Sequence, residues 1–351
     1  MTHPRATLPQ VAERAGVSLA SASRALNGTG ASKAMVEKVR AAAEELGYHP
    51  QAMGRSLRLR RTLQIAFAVA DIGNPVYVEM MTAIQAVVAE HGYRLVVATT
   101  GDTPESTIEL VRSVSAGLVD GLVISPLRVN EALVAELVSS QLPVVVIGRS
   151  LEGDHLDSVS TDSAGGIGQA VEHLLALGRH RIGFVNGPVD TTPGEARQRG
   201  FDAAVGRFGL ARETVDTQIA DDFTVASGLA AATTLLRRHG GGDAQLDAIV
   251  AANDLLAIGA IRAAREQGLR VPEDLAVTGM DDTEIGRVFL PSLTSVSLRS
   301  SERGRRAAEI MLALLEDPGH HPQNVLVEPV LMARESTAAS QSADLAQEEN
   351  A

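Results

Sequence analysis

The sequence predicts a small all-α head followed by an α/β body of two lobes, each a doubly wound parallel sheet. Three observations predict it. The 351 residues fill two to three domains at ~150 residues each. Charge is unevenly placed: residues 1–61 hold ten basic and four acidic side chains, a net of +6, while the remaining 290 carry −18 of a total of −12. From residue 62 onward, apolar strands alternate with amphipathic helices, the pattern of parallel sheets covered on both faces.

Composition removes several classes. Hydrophobic residues make up 45% of the chain, enough for sizeable cores. There is no cysteine, so a disulfide scaffold, a Cys-ligated zinc finger, an iron–sulfur site and a thiol nucleophile are excluded. No apolar run approaches ~18 residues, so no membrane span is expected. The opening MTHPRATLPQVAERAGVS has no apolar secretory core, so a cytoplasmic protein is expected. Both lysines, Lys33 and Lys38, lie in the basic segment. That asymmetry suits a small module facing a polyanion, attached to a body that avoids one.

The basic segment reads as three short helices. Thr7 and Gln10 fit a capping box, Pro9 is tolerated in a first turn, and Gly16 can end the first helix in the left-handed region. Ser18 caps a second helix running to about Leu26. Ser32 caps a third, with Val36, Val39, Ala43 and Leu46 on one face and Gly47 as its stop. Two helices of about eight residues joined at Ala15-Gly16-Val17 make a helix-turn-helix, whose second helix enters the major groove N-terminal end first.

The run TLPQVAERAGVSLASASRALNG, then VRAAAEELGYHPQAMGRSLR, closely resembles the lactose-repressor (LacI/GalR) family. The match continues through DIGNPVY, DGLVIS, VVVIGRS, GRHRIG, VAANDLLAIGA, GMDD, LPSLTSV and ARESTA, about residues 6–338. By that resemblance, Leu19 and Ala20 begin the base-reading helix, with Ser23 and Arg24 further along. Leu19 and Ala20 offer apolar contact, for example to a thymine methyl, while Arg24 can fork onto a guanine or clamp a phosphate. Ser18 and Ser21 suit phosphate. Val11, Ala12, Val17, Ala22 and Leu26 suit packing between helices. The family places a DNA-induced hinge helix over Pro50–Leu57. So short a segment does not hold a helix alone in water, and Gly54, where the family usually has alanine, costs a further ~1 kcal/mol. Leu57 is then the wedge into the minor groove, with Arg55 and Arg58 on adjacent phosphates.

In the body, strands are expected at Leu63–Ala70, Arg94–Thr99, Gly121–Ile124 and Val144–Ile147, with helices from Val76 to His91 and from Pro104 to Ala116. A second series starts near Thr161: helix 164–177, strand Arg181–Asn186, helix 195–208, strand Ala248–Ala252, helix 253–267 and strand Leu275–Gly279. The family's body has the two-lobe, periplasmic-binding-protein-like form, with the chain crossing between lobes near 162, 290 and 324. The expected organisation is therefore a helix-turn-helix domain at 1–49, a hinge at 50–61 and an effector-binding and dimerisation domain at 62–340. Its first lobe takes 62–161 and 291–323, its second 162–290 and 324–340, and 341–351 is a polar tail. A ligand sits between the lobes, beyond the carboxyl ends of the strands.

The resemblance places Tyr77, Arg149, Arg197, Phe223, Asn253 and Asp281 around that ligand. Tyr77 can stack on a sugar ring or plug the lobe. Arg197, Asn253 and Asp281 offer forked donors, an amide and a paired acceptor, a set suited to vicinal hydroxyls. Only nine residues of the chain are aromatic, which makes Tyr77 and Phe223 at such loops notable. Thr191, Thr192, Pro193 and Gly148 depart from purine-responsive members. Arg149 and Arg197 fit a sugar acid or phosphorylated sugar as well as a neutral sugar, so the effector's charge stays open.

Other signals fail. Gly165-Gly166-Ile167-Gly168 misses GxGxxG because Val171 stands at the third glycine position. There is no P-loop, no GxSxG elbow and no HExxH, and His320-His321 reads as a surface turn. No cofactor is expected. The leading reading is a transcriptional repressor, a homodimer on a pseudo-palindromic operator of double-stranded DNA, controlled by a small sugar-like effector. A sugar-binding protein without regulatory role fits the body alone, and an enzyme of doubly wound fold lacks a phosphate loop or activated nucleophile.

Overall fold

A computed structural model describes residues 6–26, 30–48, 61–148, 156–240, 244–317, 319 and 321–337. Contacts cluster into two compact units that divide between Leu63 and Gln64.

The first unit holds α1 (Leu8–Arg14), α2 (Leu19–Leu26) and α3 (Lys33–Glu45). Each boundary follows from local chemistry. The Gln10 side chain accepts from the Thr7 amide at 2.8 Å, closing the start of α1. Gly16, at φ +60°, turns the chain after it. Ser18 Oγ accepts from the Ser21 amide at 3.2 Å, and Ser32 Oγ from the Met35 amide at 3.4 Å. The core is small: Val11, Ala12, Ala15, Ala22, Ala25, Val39, Ala42 and Ala43, with Val17 and Leu26 packed against it. Alanines let three short helices approach closely enough to share one core.

The second unit contains two six-stranded sheets. The first lobe is built from β1 (Gln64–Val69), α4 (Pro75–Glu90), β2 (Arg94–Thr99), α5 (Pro104–Ser115), β3 (Gly121–Ser125), α6 (Glu131–Ser139), β4 (Val144–Gly148) and β5 (Asp157–Thr161). The second lobe follows with α7 (Ser163–Ala176), β6 (Ile182–Asn186), α8 (Thr192–Phe208), β7 (Val215–Ile219), α9 (Val225–Arg238), β8 (Ala248–Ala251), α10 (Asp254–Glu266), β9 (Ala276–Met280), α11 (Glu284–Val288) and β10 (Thr294–Ser297). The chain then returns with α12 (Ser300–Glu316) and β11 (Asn324–Val327), and ends in β12 (Val330–Met332). Strand order is β11-β5-β4-β3-β1-β2 in the first sheet and β12-β10-β9-β8-β6-β7 in the second.

The sheets correct two lobe boundaries. Residues 294–297, expected in the first lobe, pair with β9 in the second. Residues 324–327, expected in the second, pair parallel with β5 in the first. The later crossings therefore fall near Leu298 and at Glu328-Pro329, while the first stays at Asp162. The second sheet also gains one antiparallel edge, because β12 enters it from the opposite side and pairs with β10. Since β5 and β11 are neighbours, and β10 and β12 are neighbours, the three crossing segments lie side by side.

Several elements escaped the periodicity. Strand β5 reads Asp-Ser-Val-Ser-Thr, too polar to suggest a buried strand, yet its first four residues are buried. The polar groups at its start are met by the β11 segment: Asp157 Oδ1 accepts from the Gln323 amide at 2.8 Å and Ser158 Oγ donates to Asn324 Oδ1 at 2.5 Å. Helix pairs approach through glycine. An added Cβ on Gly259 of α10 would lie 2.5 Å from backbone atoms of α9, and one on Gly304 of α12 would lie 2.6 Å from the Met80 carbonyl of α4. The glycine run Gly165–Gly168 sits inside α7, where a Cβ on Gly166 would meet Val296 and Met280.

Candidate functional site

In the first unit, the sequence-expected DNA contacts occupy the outer side of α2. Ala22 and Ala25 are buried against α1 and α3. Leu19 is 51% exposed, and Ala20 and Arg24 are exposed as well. Ser23 is half-buried. Ser18 and Ser21 bond each other, Oγ to Oγ at 2.9 Å, and Arg24 Nη2 reaches Ser21 Oγ at 3.5 Å. Both serines thus belong first to the cap of α2. Arg55, Leu57 and Arg58 lie outside the described residues.

In the second unit, a cavity of about 550 Å³ opens between the lobes. Its lining comes from the carboxyl ends of both sheets. The first lobe contributes Ser125, Gly148 and Thr161, the last residues of β3, β4 and β5, while the second contributes Phe223, Asn253 and Asp281 after β7, β8 and β9. Of the six residues expected around a ligand, Tyr77, Arg197, Phe223, Asn253 and Asp281 all line it. Arg149 lies outside the described residues. Thr192, Pro193 and Gly148 also line the cavity.

Each side chain is held by its own local chemistry. Asn74 caps α4 and so sets Tyr77 in that helix's first turn. The Tyr77 hydroxyl is bonded to Ser125, and burial pushes its pKa up. Thr191 caps α8 and places Arg197 two turns in. The Arg197 guanidinium lies 5.8 Å from the Phe223 ring centre and 3.5 Å from Asp281 Oδ1. Asp281 sits at φ +110°, a strained conformation for a side-chain-bearing residue, held by its amide on the Val296 carbonyl at 2.9 Å. Burial raises the Asp281 pKa, and Arg197 and Arg303 oppose that. Asn253 is committed more than expected: Oδ1 accepts from the Leu256 amide at 2.8 Å to cap α10, and Nδ2 donates to the Phe223 carbonyl at 3.2 Å. One amide N–H is left for a ligand.

Sequence reasoning missed three features. Arg303 on α12 lines the cavity and is 4% exposed. Its signal was its place on the apolar stripe Ser300, Arg303, Gly304, Ala307, Ala308 and Met311, where a charge is out of character. Asp254 is buried behind Asp281. Burial and the Asp281 charge push its pKa up to about 7. Finally, two ion pairs span the lobes: Arg128–Asp190 at 2.7 Å and Arg287–Glu79 at 3.3 Å. Beside the first, the Thr192 amide donates to the Leu127 carbonyl at 2.9 Å.

Known proteins agree with both units. Residues 7–51 match the model for bacterial regulatory proteins of the lacI family, and residues 171–337 match a periplasmic binding protein-like domain. The HTH-type transcriptional regulator CelR of Thermobifida fusca is 34% identical over 341 residues, 95% of this chain and 98% of that protein. A solved complex of CelR with cellobiose superposes with a TM-score of 0.69 at 32% identity, covering 95% of this chain and all of that one. The Lac repressor dimer bound to operator and an anti-inducer superposes with a TM-score of 0.83 at 27% identity, covering 96% of this chain and all of that one. With a helix-turn-helix ahead of a two-lobe ligand-binding body and this identity across its length, the chain belongs to the lacI family of bacterial regulatory proteins.

Proposed function

We propose that the protein is a repressor that binds a pseudo-palindromic operator as a homodimer and is released or engaged by a small sugar-like effector in the inter-lobe cavity. The observation that carries this is the cavity itself: five expected ligand residues from two lobes converge on it, in a chain that also carries a helix-turn-helix. On this reading residues 1–49 form the DNA domain, 50–61 the hinge and 62–340 the effector and dimerisation domain. Leu19, Ala20 and Ser23 face base edges, Arg24 forks onto a guanine or clamps a phosphate, Ser18 and Ser21 face phosphates, Leu57 wedges into the minor groove, and Arg55 and Arg58 hold adjacent phosphates. Arg197, Asp281 and the free N–H of Asn253 hold hydroxyls, Tyr77 and Phe223 bound the ring, and Arg149 completes the rim.

A second copy would cover the exposed apolar groups Val96 and Val97 on edge strand β2, beside α4. The protein performs no catalysis on this reading and acts in the cytoplasm. Among the described residues no helix is long and apolar enough to cross a membrane. Cellobiose in the CelR complex and the operator in the Lac repressor complex support the two ligand classes. The effector acts through unequal affinity for two lobe arrangements. Duplex binding to genomic fragments tests the reading: a specific fragment is retained by the full chain and lost on deleting residues 1–60. Binding that is absent, or indifferent to the deletion, refutes it.

A further inference from the structure

The cavity carries more positive charge at its floor than its own residues neutralise. Arg197 and Arg303 are both buried there, and Asp281 is the buried carboxylate that lines the cavity with them. Asp281 pairs with Arg197. Arg303 has no carboxylate within ion-pair reach among the described residues, and its hydrogen bond runs from Nη2 to Ser300 Oγ at 3.2 Å. The remaining charged liners, Asp162, Glu195 and Arg199, are exposed at the rim. Water screens them, and Asp162 Oδ1 is engaged by the Gly165 amide at 2.8 Å.

Unpartnered atoms gather at the same place. Among the described residues, five buried side-chain polar atoms have no hydrogen-bond partner, and three of them line this cavity: Thr161 Oγ1, Arg197 Nε and Arg303 Nε. Buried donors are left unmade at a cost, and a ligand that accepts from them recovers it. Two of the three are guanidinium nitrogens, which donate and never accept, so their partner must bring oxygen lone pairs. A carboxylate or phosphate does so with charge as well, in the planar fork that a guanidinium matches.

We propose that the effector is an anion: a small polyol bearing one carboxylate or phosphate group, which Arg303 binds at the cavity floor while Arg197, Asp281 and Asn253 hold its hydroxyls. This rests on reading the cavity as the effector site. The shared chemistry is an oxyanion on a sugar-sized body, and Arg303 is its specificity determinant against neutral sugars. Without ligand, Arg303 is a buried charge that shares Asp281 with Arg197 and has no ion pair of its own, so it lowers the stability of the empty protein.

The test uses the full-length chain, wild-type and R303M, in calorimetric titration and thermal melts. The probes are glucose, gluconate, glucuronate, glucose 6-phosphate and inorganic phosphate. Wild-type binds an acid or phosphorylated probe at least ~30-fold more tightly than glucose, and R303M loses that preference. Gluconate or glucuronate against glucose 6-phosphate separates carboxylate from phosphate. Ligand-free R303M melts higher than wild-type by at least ~2 °C, which a merely structural arginine would not allow. Glucose binding as tightly as its charged forms overturns the proposal, as does an R303M that keeps the preference. If no probe binds, the ligand-free melts decide: a higher melting point for R303M supports the proposal, and an equal or lower one overturns it. Operator binding is scored separately, so failure of the regulatory reading leaves these outcomes intact.

Discussion

Asp254 shows how one buried residue sets a pH response. Ser295 Oγ donates to its Oδ1 at 2.5 Å, and the Thr283 amide and hydroxyl both donate to Oδ2 at 2.7 Å. Even so, burial and Asp281 hold its pKa near 7, against an ordinary 3.8. A carboxyl whose folded value is raised contributes stability that is full below pH ~4 and is lost as the pH rises towards 7, on the order of 4 kcal/mol over the range. D254N lacks this titration. Urea unfolding of both proteins across that range should show the advantage of wild-type over D254N shrinking as the pH rises, and a constant gap would contradict the assignment. At the DNA face, R24M should weaken operator binding by about 1–3 kcal/mol in a titration against the retained fragment. Tyr77, Arg197, Phe223 and Asp281 could be expected at the cavity because the resemblance to the family aligned their motifs, not because the sequence alone marked them. Arg303 and Asp254 could not, because their meaning lies in what surrounds them: Ser-Glu-Arg-Gly-Arg-Arg reads as a solvated helix face until the helix is docked.

At the scale of elements, the caps of the head helices were readable, while those of the body emerge from the structure. Ser18, Ser32, Thr103, Asn130, Thr191, Thr224 and Asn253 each accept a backbone amide at a helix start. Among the unread elements were some that break their own pattern, such as polar β5, and edge strand β7, which is half-exposed along most of its length. The glycine crossings were equally hidden, since Gly259 and Gly206 look alike in sequence. Their environments differ. A Cβ on Gly259 meets the Val225 carbonyl and the Leu229 amide at 2.5 Å, while one on Gly206 meets nothing within 4 Å. G259A should therefore cost ~1–3 kcal/mol in urea unfolding by forcing α9 and α10 apart. G206A should be neutral or stabilise α8 by up to ~1 kcal/mol. Equal effects from the two substitutions would remove the argument for a steric crossing.

For the whole molecule, the −12 net charge conceals a +6 segment and a −18 remainder. A body repelled by phosphates discourages non-specific wrapping of DNA and leaves the head to make contact. The same body carries the two ion pairs that span its lobes. Both are partly solvated, with Asp190 65% exposed, so each is worth about 0–1 kcal/mol and is weakened by salt. Small-angle scattering should then show the ligand-free wild-type expanding slightly between low and high salt. The E79Q/D190N double variant should already be expanded and insensitive to salt, and identical salt responses would dismiss the pairs as a latch. The lobes were legible from alternation alone, but their exact membership was not, because β10 and β11 belong to sheets that only tertiary pairing reveals. The three crossing segments run side by side through Asp162, Leu298 and Glu328-Pro329. Three adjacent tethers forbid the lobes to slide or separate and leave them one soft coordinate, the angle about that line. Whatever a ligand's shape, the rest of the molecule receives a single number from it, so chemically different ligands that close the lobes to the same angle are the same message.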